Sequence, residues 1–425
     1  MADAASMNRF GRVFDRARLE RLADWLVVAV VVTLPWSTSA TSVCLVLWLL
    51  ALIPTLDVAS IRRELWTPAG GLPPLLWGLA LLGLAWGQVG FGERLAGLGG
   101  YNKLLIIPLL LTQFRRCERP LPVLYGFLAS CMLLLLLSWL LQVIFFIAPA
   151  RGLWVHGKLP GVPVKDYIAQ SAEFMVCAFA LLALAFERAR AQRFAFATAL
   201  VLLAMLFLAN MFYVSPGRTA LVVLPILLVI LGFREFGLKG TLGACVVGAV
   251  LVALAWASSP MLRDRVLYSI SDYERYQTEN AVNSVSLRLA FWKQSLTFMA
   301  DAPIIGHGTG TMPSLFRAAA AEGSGPAAFA SVNPHNQYFA VGIELGVVGL
   351  AVLFAMWGAH LALFRGAGVI PWIGLVIVLQ NIVSSVFNSH LFDFFHGWFY
   401  VFGVGVLGGM MLRARLPRDA AVKAR

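Results

Sequence analysis

Long hydrophobic runs, separated by short polar stretches, recur along the chain from Trp25 to Met411. A helix needs about 20 mainly apolar residues to cross a hydrocarbon core of about 30 Å, and the runs have that length. They lack the two-residue alternation of a membrane β-barrel. We predict an all-α polytopic membrane protein with about twelve transmembrane helices. The predicted spans are residues 22–36, 40–56, 71–89, 95–114, 122–148, 168–186, 194–214, 216–233, 240–257, 336–364, 369–387 and 391–412.

Composition and charge support this class and indicate an orientation. Hydrophobic residues make up 60% of the chain, charged residues 13%, and the net charge is +12. Short cytoplasmic loops retain Lys and Arg during insertion, and with a cytoplasmic N-terminus every short loop on that side carries a cation. We therefore predict both termini in the cytoplasm. The positive charge then reflects topology and contact with anionic lipid, and nucleic-acid binding is not expected.

Terminal segments and cysteines add little chemistry. The stretch Arg9–Glu20 is interpreted as a basic flank of the first span, because no small-residue cleavage site follows the apolar run. The cysteines fall within spans or on the cytoplasmic side, where no extracytoplasmic disulfide framework can form. No pair of Cys or His residues has the spacing of metal ligands. We predict neither a metal site nor a cofactor.

One long polar loop divides the chain into three parts. Residues 1–257 hold the first nine spans, 258–335 form an extracytoplasmic helical loop domain, and 336–425 hold the last three spans and a cytoplasmic tail. Ser259-Pro260 predicts the start of an amphipathic helix, which a polar stretch from Ser271 to Asn283 follows. A second helix over Ser284–Ala300 would place Arg288, Trp292 and Ser295 on one face. Residues 318–330 are rich in Ala, Gly and Ser, and fit either a mobile flap or a simple connector.

The sequence Asn333-Pro334-His335-Asn336 precedes span ten. It predicts an N-cap, a proline and a histidine in the first helical turn. The positive end of the helix dipole would keep that imidazole neutral, as a general base requires. The alternative is that His335 is a surface or capping residue.

Span eight begins with Ser215-Pro216-Gly217-Arg218-Thr219, which places a cation in the first helical turn. A cation is unfavourable there, so we expect an anion nearby. The alternative is an arginine that extends to the membrane surface. With Arg288, Arg218 could hold two phosphates by bidentate hydrogen bonds.

Other polar or small residues near the last spans have open roles. Gly342, Gly346 and Gly349 predict a face that another helix can approach closely. The carboxylate of Glu344 needs a partner inside the membrane, either a cation or a catalytic group. Asn388, His390, Asp393 and His396 form a polar cluster between spans eleven and twelve. Within it Asp393 could orient His335, bind a sugar hydroxyl or cap span twelve.

Together these residues describe a site for a diphosphate leaving group beside a base. Arg218 and Arg288 would stabilise the leaving group, while His335 takes a proton from an attacking hydroxyl. Attack from the opposite face would invert the anomeric carbon without a covalent intermediate. The arginines would replace a divalent cation.

Several of these motifs resemble those of the bacterial O-antigen ligase family. They are Ser215–Ala220, Arg288 with Trp292, Gly306-His307-Gly308-Thr309-Gly310, and His335-Asn336, which nine residues separate from Gly346-Val347-Val348-Gly349. The resemblance implies a metal-independent, inverting, membrane-embedded (GT-C type) glycosyltransferase of the bacterial inner membrane, with its site facing the periplasm. It implies transfer of O-antigen from undecaprenyl diphosphate to the lipid A core.

In that resemblance His335 is the base and Arg218 and Arg288 contact the diphosphate. Further substrate-binding candidates are Asn336, Trp292, Lys293 and Asp393. Two alternatives stay open: an O-antigen polymerase of the same superfamily, which uses a second lipid-linked glycan as acceptor, and a transporter of lipid-linked glycans.

Overall fold

A computed structural model describes residues 15–147, 160–214 and 217–415, and these residues form helices without a strand. The all-α prediction is confirmed. The N-terminal part of the predicted basic flank and the predicted cap Ser215-Pro216 lie outside the described residues. The helices are α1 Arg16–Thr33, α2 Thr38–Leu52, α3 Val58–Leu65, α4 Pro68–Gly83, α5 Phe91–Leu98, α6 Ile106–Arg116, α7 Leu121–Ile147, α8 Tyr167–Arg190, α9 Phe194–Tyr213, α10 Arg218–Ser258, α11 Pro260–Glu279, α12 Ser284–Asp301, α13 Met312–Glu322, α14 Gln337–Leu363, α15 Val369–Ser384 and α16 Phe394–Ala414.

Several of these helices are long and apolar enough to cross a membrane. In the described ranges there are 7, or up to 9 if each of two bent helix pairs counts as one span. The long helix α10 breaks at Gly237, and Gly232 packs against Gly240 across the break, so its two halves run back along each other. This hairpin corresponds to two predicted spans, 216–233 and 240–257. The multi-pass class is confirmed, and the number twelve stays a prediction.

The basic loops meet at one end of the helix bundle. Arg115 pairs with Glu64 at 2.8 Å, Arg190 pairs with Glu235 at 2.5 Å, and a guanidinium nitrogen of Arg413 donates to the carbonyl of Arg116 at 3.0 Å. These contacts join loops that the charge pattern assigns to the same side. The helices of the long polar loop lie with the first turns of α8, α10 and α14 at the other end.

Within the long loop, the helices begin where their capping residues predict. The side chain of Ser259 accepts the amide N–H of Leu262, and Asn283 forms a capping box at the start of α12. However, α11 continues to Glu279, through most of the polar stretch that we placed after this helix. Its residues keep enough helix propensity to extend the helix until Asn280 ends it in a left-handed conformation.

The small-residue segment 318–330 has defined structure. Its first residues belong to α13, and Gly325–Ala328 form a short 3-10 helix in which Pro326 is buried. The amide nitrogen of Gln294 on α12 donates to the carbonyl of Ala327 at 3.2 Å. The segment therefore packs on α12 rather than standing away as a free flap.

Helix α14 is broken at Gly346, where φ is +62°. The amides of His307 and Gly308 donate to the carbonyls of Ile343 and Glu344 at 2.8 and 2.9 Å, and the amide of Val347 donates to the carbonyl of Pro303 at 2.8 Å. The loop before α13 thus supplies the hydrogen bonds that the break removes. A Cβ at Gly346 would lie 2.3 Å from the carbonyl oxygen of Ile304. Gly346 is a backbone break against a loop, so its predicted role in a helix-packing face is wrong.

The buried carboxylate of Glu344 stabilises the same junction. It accepts the hydroxyl of Tyr101 at 3.0 Å and the amide of Gly310 at 2.9 Å. Neither contact is with a cation, so the alternative in which Glu344 pairs with a cation is not found in the part of the chain that the structure describes. Glu344 on α14 thus contacts both the glycine-rich loop 306–310 and Tyr101, which precedes the short 3-10 helix Asn102–Leu105.

Candidate functional site

The backbone presents His335 just before α14 rather than in its first turn. The helix begins at Gln337, and Asn336 is the N-cap, whose side chain accepts the amides of Tyr338 and Phe339. His335 has a φ of +52°, and its amide donates to Oδ1 of Asn333 at 2.9 Å. The predicted start of the helix was wrong by three residues, because Asn336 rather than Asn333 caps it. A local Asx turn, and not the helix, holds His335.

Hydrogen bonding places a proton on Nδ1 of the His335 ring. Its Nδ1 lies 3.0 Å from Oδ1 of Asn388, and Nδ2 of Asn388 donates to Oδ2 of Asp393 at 2.9 Å. A carboxylate only accepts, so the amide nitrogen must face Asp393 and the amide oxygen must face His335. Nδ1 must then carry the proton and donate it. Nε2 is left with a free lone pair, the arrangement of a general base.

An aromatic ring fixes the position of the imidazole from a second helix. The ring of Phe291 on α12 is stacked on His335 with a centroid distance of 6.4 Å. Asn333, which holds the backbone of His335, itself accepts the hydroxyl of Ser389 at 2.7 Å. The loop after α15 therefore supports both the ring and the backbone of His335.

Asp393 belongs to a compact polar cluster. Its Oδ2 lies 3.0 Å from Nδ1 of His390 and 3.6 Å from Nδ1 of His396. The ammonium of Lys103 donates to the backbone carbonyls of Phe392 and Asp393. Asp393 is the N-cap residue of α16, but its side chain makes no capping hydrogen bond. Asp393 is linked to His335 through Asn388, and this contact favours the predicted role of orienting His335 over the other two.

Three arginines gather beside this region. Burial lowers the pKa of Arg288 from its ordinary value, and the charges of Arg218 and Arg265 lower it further. Nη1 of Arg218 donates to Ser284 at 3.4 Å, and Arg265 lies over the ring of Tyr167 at 4.8 Å.

No carboxylate neutralises this arginine cluster, which we define as Arg218, Arg265 and Arg288. None of the three forms a salt bridge with any residue in the described ranges. The buried Nε atoms of Arg218 and Arg265 have no hydrogen-bond partner there either. Like charges held together without a counter-ion are costly, and an anion between them would remove the cost. The cluster is a candidate anion site.

The base and the arginine cluster lie at the same end of the bundle. Arg288 precedes Phe291 by three residues on α12, which is nearly one turn, and Phe291 is the ring that stacks on His335. On the other side, Gly217 and Thr219 flank Arg218 and line a cavity together with His390 and His396, the neighbours of Asp393. The three side chains singled out from the sequence are therefore brought to one region.

The other predicted site residues have more varied surroundings. Asn336 is buried and its oxygen is used in capping α14. Trp292 packs edge-on against Phe339, and its buried Nε1 lacks a partner among the described residues. Lys293 is exposed on α12. Ser295, expected on the same face as Arg288, is buried and donates to the carbonyl of Phe291.

Sequence reasoning assigned no specific role to Asn388 and did not single out Arg265. Asn388 stood in a polar cluster, but its contact with His335 joins positions 53 residues apart. Arg265 lies on α11, where a surface charge gives no sign of which neighbours it meets. We also expected no metal-ligand spacing, whereas the structure brings His390, Asp393 and His396 together, with ligand atoms within 4.8 Å of one another.

Fold and site together define a multi-pass helical membrane protein with an imidazole beside an unneutralised arginine cluster. A family model described as O-antigen ligase matches residues 203–354, which include Arg218, Arg288, His335 and the break at Gly346. This match confirms the resemblance to the O-antigen ligase family, and it implies in general a ligase that transfers glycans. No curated protein matches the chain.

Proposed function

We propose that this protein is an O-antigen ligase that transfers O-antigen polysaccharide from undecaprenyl diphosphate to the lipid A core oligosaccharide. The observation that carries the proposal is the tautomer of His335, whose Nε2 is left free by Asn388. That base lies at the same end of the bundle as an arginine cluster suited to a diphosphate. The family match favours glycan transfer over other reactions of a diphosphate.

The chemistry is a single displacement with inversion. A hydroxyl of the lipid A core attacks the anomeric carbon of the O-antigen as Nε2 of His335 accepts the hydroxyl proton. The bond between that carbon and the diphosphate oxygen breaks, and its electron pair leaves with undecaprenyl diphosphate. Arg218, Arg265 and Arg288 stabilise the added negative charge. This displacement requires no oxidant, no cofactor and no metal ion at the reacting atoms.

The charge pattern supports a location for this reaction. Basic loops meet at the end opposite the site. The positive-inside rule then favours a multi-pass protein of the bacterial inner membrane with both termini in the cytoplasm and the site facing the periplasm. Both substrates are membrane lipids, so their sugars would reach the site at the outer leaflet.

Reconstitution tests the function directly. The purified chain in vesicles receives undecaprenyl-diphosphate-linked O-antigen and either lipid A core or a second lipid-linked glycan as acceptor. We expect a new glycan attached to lipid A core, without any ion gradient. Elongation of lipid-linked glycan alone would identify a polymerase. Movement of donor across the bilayer without a new glycosidic bond would identify a transporter.

We expect Asn388→Ala to lower the turnover number about 10- to 100-fold, a fraction of what a general base contributes. Without the amide, the Nδ1 proton of His335 is no longer held, and Nε2 is deprotonated and correctly oriented in fewer molecules. The Michaelis constant for the donor should change little, since Asn388 has no contact with the arginine cluster. Steady-state kinetics measure the turnover number and the Michaelis constant separately. An equal loss in Asn210→Ala, a buried amide that bonds with Ser138, would indicate general damage to the fold.

We expect turnover without added Mg²⁺ or Mn²⁺, because the arginine cluster supplies the positive charge that these ions give elsewhere. The assay is run after dialysis against EDTA, and then with either ion restored. Turnover that requires one of these ions for its recovery would contradict a metal-free reaction.

A further inference from the structure

Two histidines and one aspartate at the start of α16 form a cluster that the proposed reaction does not use as such. We define the His-Asp-His cluster as His390, Asp393 and His396. Each residue offers a ligand atom, and these atoms lie within 4.8 Å of one another. The two imidazole rings lie with centroids 3.9 Å apart. His390 is 1% exposed and the side chain of Asp393 is 30% exposed, so the cluster is partly buried.

The distances fit coordination by one ion. Ligand atoms held 2.0–2.1 Å from a tetrahedral Zn²⁺ lie about 3.3 Å from each other. Oδ2 of Asp393 lies 3.0 Å from Nδ1 of His390 and 3.6 Å from Nδ1 of His396. These two distances bracket that separation. The longer one exceeds a good hydrogen bond, so an imidazole–carboxylate pair alone accounts for His390 but not for His396.

A second observation concerns the far side of the rings. Nε2 of His390 is buried without a hydrogen-bond partner in the described ranges, whereas the ring of His396 has the backbone of Ile168 as a partner. Both rings line a small, partly open cavity, which Gln380, with a buried and unpartnered Oε1, also lines. Such groups cost free energy unless water or a ligand satisfies them. The cavity is therefore a space beside the cluster where water or an ion can satisfy these groups.

We propose that the His-Asp-His cluster binds one divalent transition-metal ion of the type of Zn²⁺. Two imidazoles and one carboxylate suit Zn²⁺ or Co²⁺, whereas Mg²⁺ and Ca²⁺ prefer oxygen ligands. Lys103 and Lys165 lie near His396, and their charges offset part of the attraction. The affinity should therefore be in the micromolar range rather than that of a structural zinc finger.

The ion has a positioning role and does not touch the reacting atoms. It joins Asp393 to His390 and His396, and Asp393 also accepts from the amide of Asn388 that holds His335. Asn388 bonds with Asp393 directly, so the ion only reinforces the orientation of that amide, and turnover does not require it. The site would therefore link the start of α16 to the base while leaving the diphosphate to the arginine cluster.

Metal content tests the proposal independently of transfer activity. The full chain, purified with a tag that contains no histidine, is placed in lipid nanodiscs and treated with a chelator. It is then incubated with Zn²⁺ or Co²⁺, desalted and measured by mass spectrometry. We expect about one ion per chain, a value set by the three-ligand site. His396→Gln and His390→Gln should each lose most of it.

The matched control is His307→Gln, because that imidazole is bound to the carbonyl of Phe298 outside the cluster. Its metal content should equal that of the wild type. Thermal unfolding gives a second measurement, which does not depend on protein yield. Zn²⁺ should raise the unfolding midpoint of the wild type and of His307→Gln, but not that of His396→Gln.

The proposal is overturned if the cluster holds only imidazole–carboxylate hydrogen bonds and binds no metal. It would appear as wild-type protein that binds no Zn²⁺ or Co²⁺ at concentrations of tens of micromolar. Equal metal content in the wild type and in both glutamine variants would overturn it as well. Neither result would bear on glycan transfer, which the reconstitution assay measures separately.

Discussion

Replacing His335 with alanine is expected to lower transfer about 100- to 10,000-fold, the usual contribution of a positioned general base. Nε2 of His335 is the lone pair that Asn388 leaves free, so its loss removes the proton acceptor. The arginine cluster is unchanged in this variant. Binding of the donor should therefore persist. Transfer is measured with reconstituted substrates, and binding with a fluorescent lipid diphosphate.

Two controls separate lost chemistry from a lost fold. The thermal unfolding midpoint of His335→Ala should stay near that of the wild type, because the side chain has one hydrogen bond and one ring contact. Free imidazole added to the variant should restore part of the transfer. Normal turnover in His335→Ala would contradict the assignment of His335 as the general base. Loss of donor binding would show that His335 contributes to binding the donor.

The sequence predicts the helices and their ends well because both depend on nearby residues. Apolar runs of sufficient length define most spans, and Ser259 and Asn283 begin α11 and α12 as their capping chemistry indicates. The Asn336 cap was missed because Asn333-Pro334 offers an equally good local pattern. Only the contact of Asn333 with Ser389, 56 residues away, decides against it.

The parts that could not be predicted depend on contacts between distant segments. Gly346 fits a packing face as well as a helix break, until residues 303–308 are known to supply the missing hydrogen bonds. The pair of Asn388 and His335 likewise arises only when α15 returns to the start of α14. The convergence of Arg218 and Arg288 was expected from their chemistry, whereas the position of Arg265 required the fold.

Replacing Arg288 with glutamine is expected to weaken donor binding about 10- to 100-fold, since a charge-assisted hydrogen bond contributes about 1.5–3 kcal/mol. Transfer should fall at least as much, because the same guanidinium stabilises the leaving diphosphate. Binding of the fluorescent lipid diphosphate and steady-state transfer measure the two effects. Arg275→Gln is the matched control, because Arg275 is exposed and pairs with Glu279 on α11.

Stability without donor distinguishes an anion-binding role from a structural one. The lowered pKa of Arg288 means that the fold disfavours its charged form. Arginine is charged at every ordinary pH, so this penalty is present at neutral pH and would disappear only above the folded pKa. The unfolding midpoint of Arg288→Gln should therefore equal or exceed that of the wild type when donor is absent. With donor present the order should reverse, because only the wild type gains fully from the bound diphosphate. A variant that is less stable without donor, yet binds donor normally, would make Arg288 a structural residue.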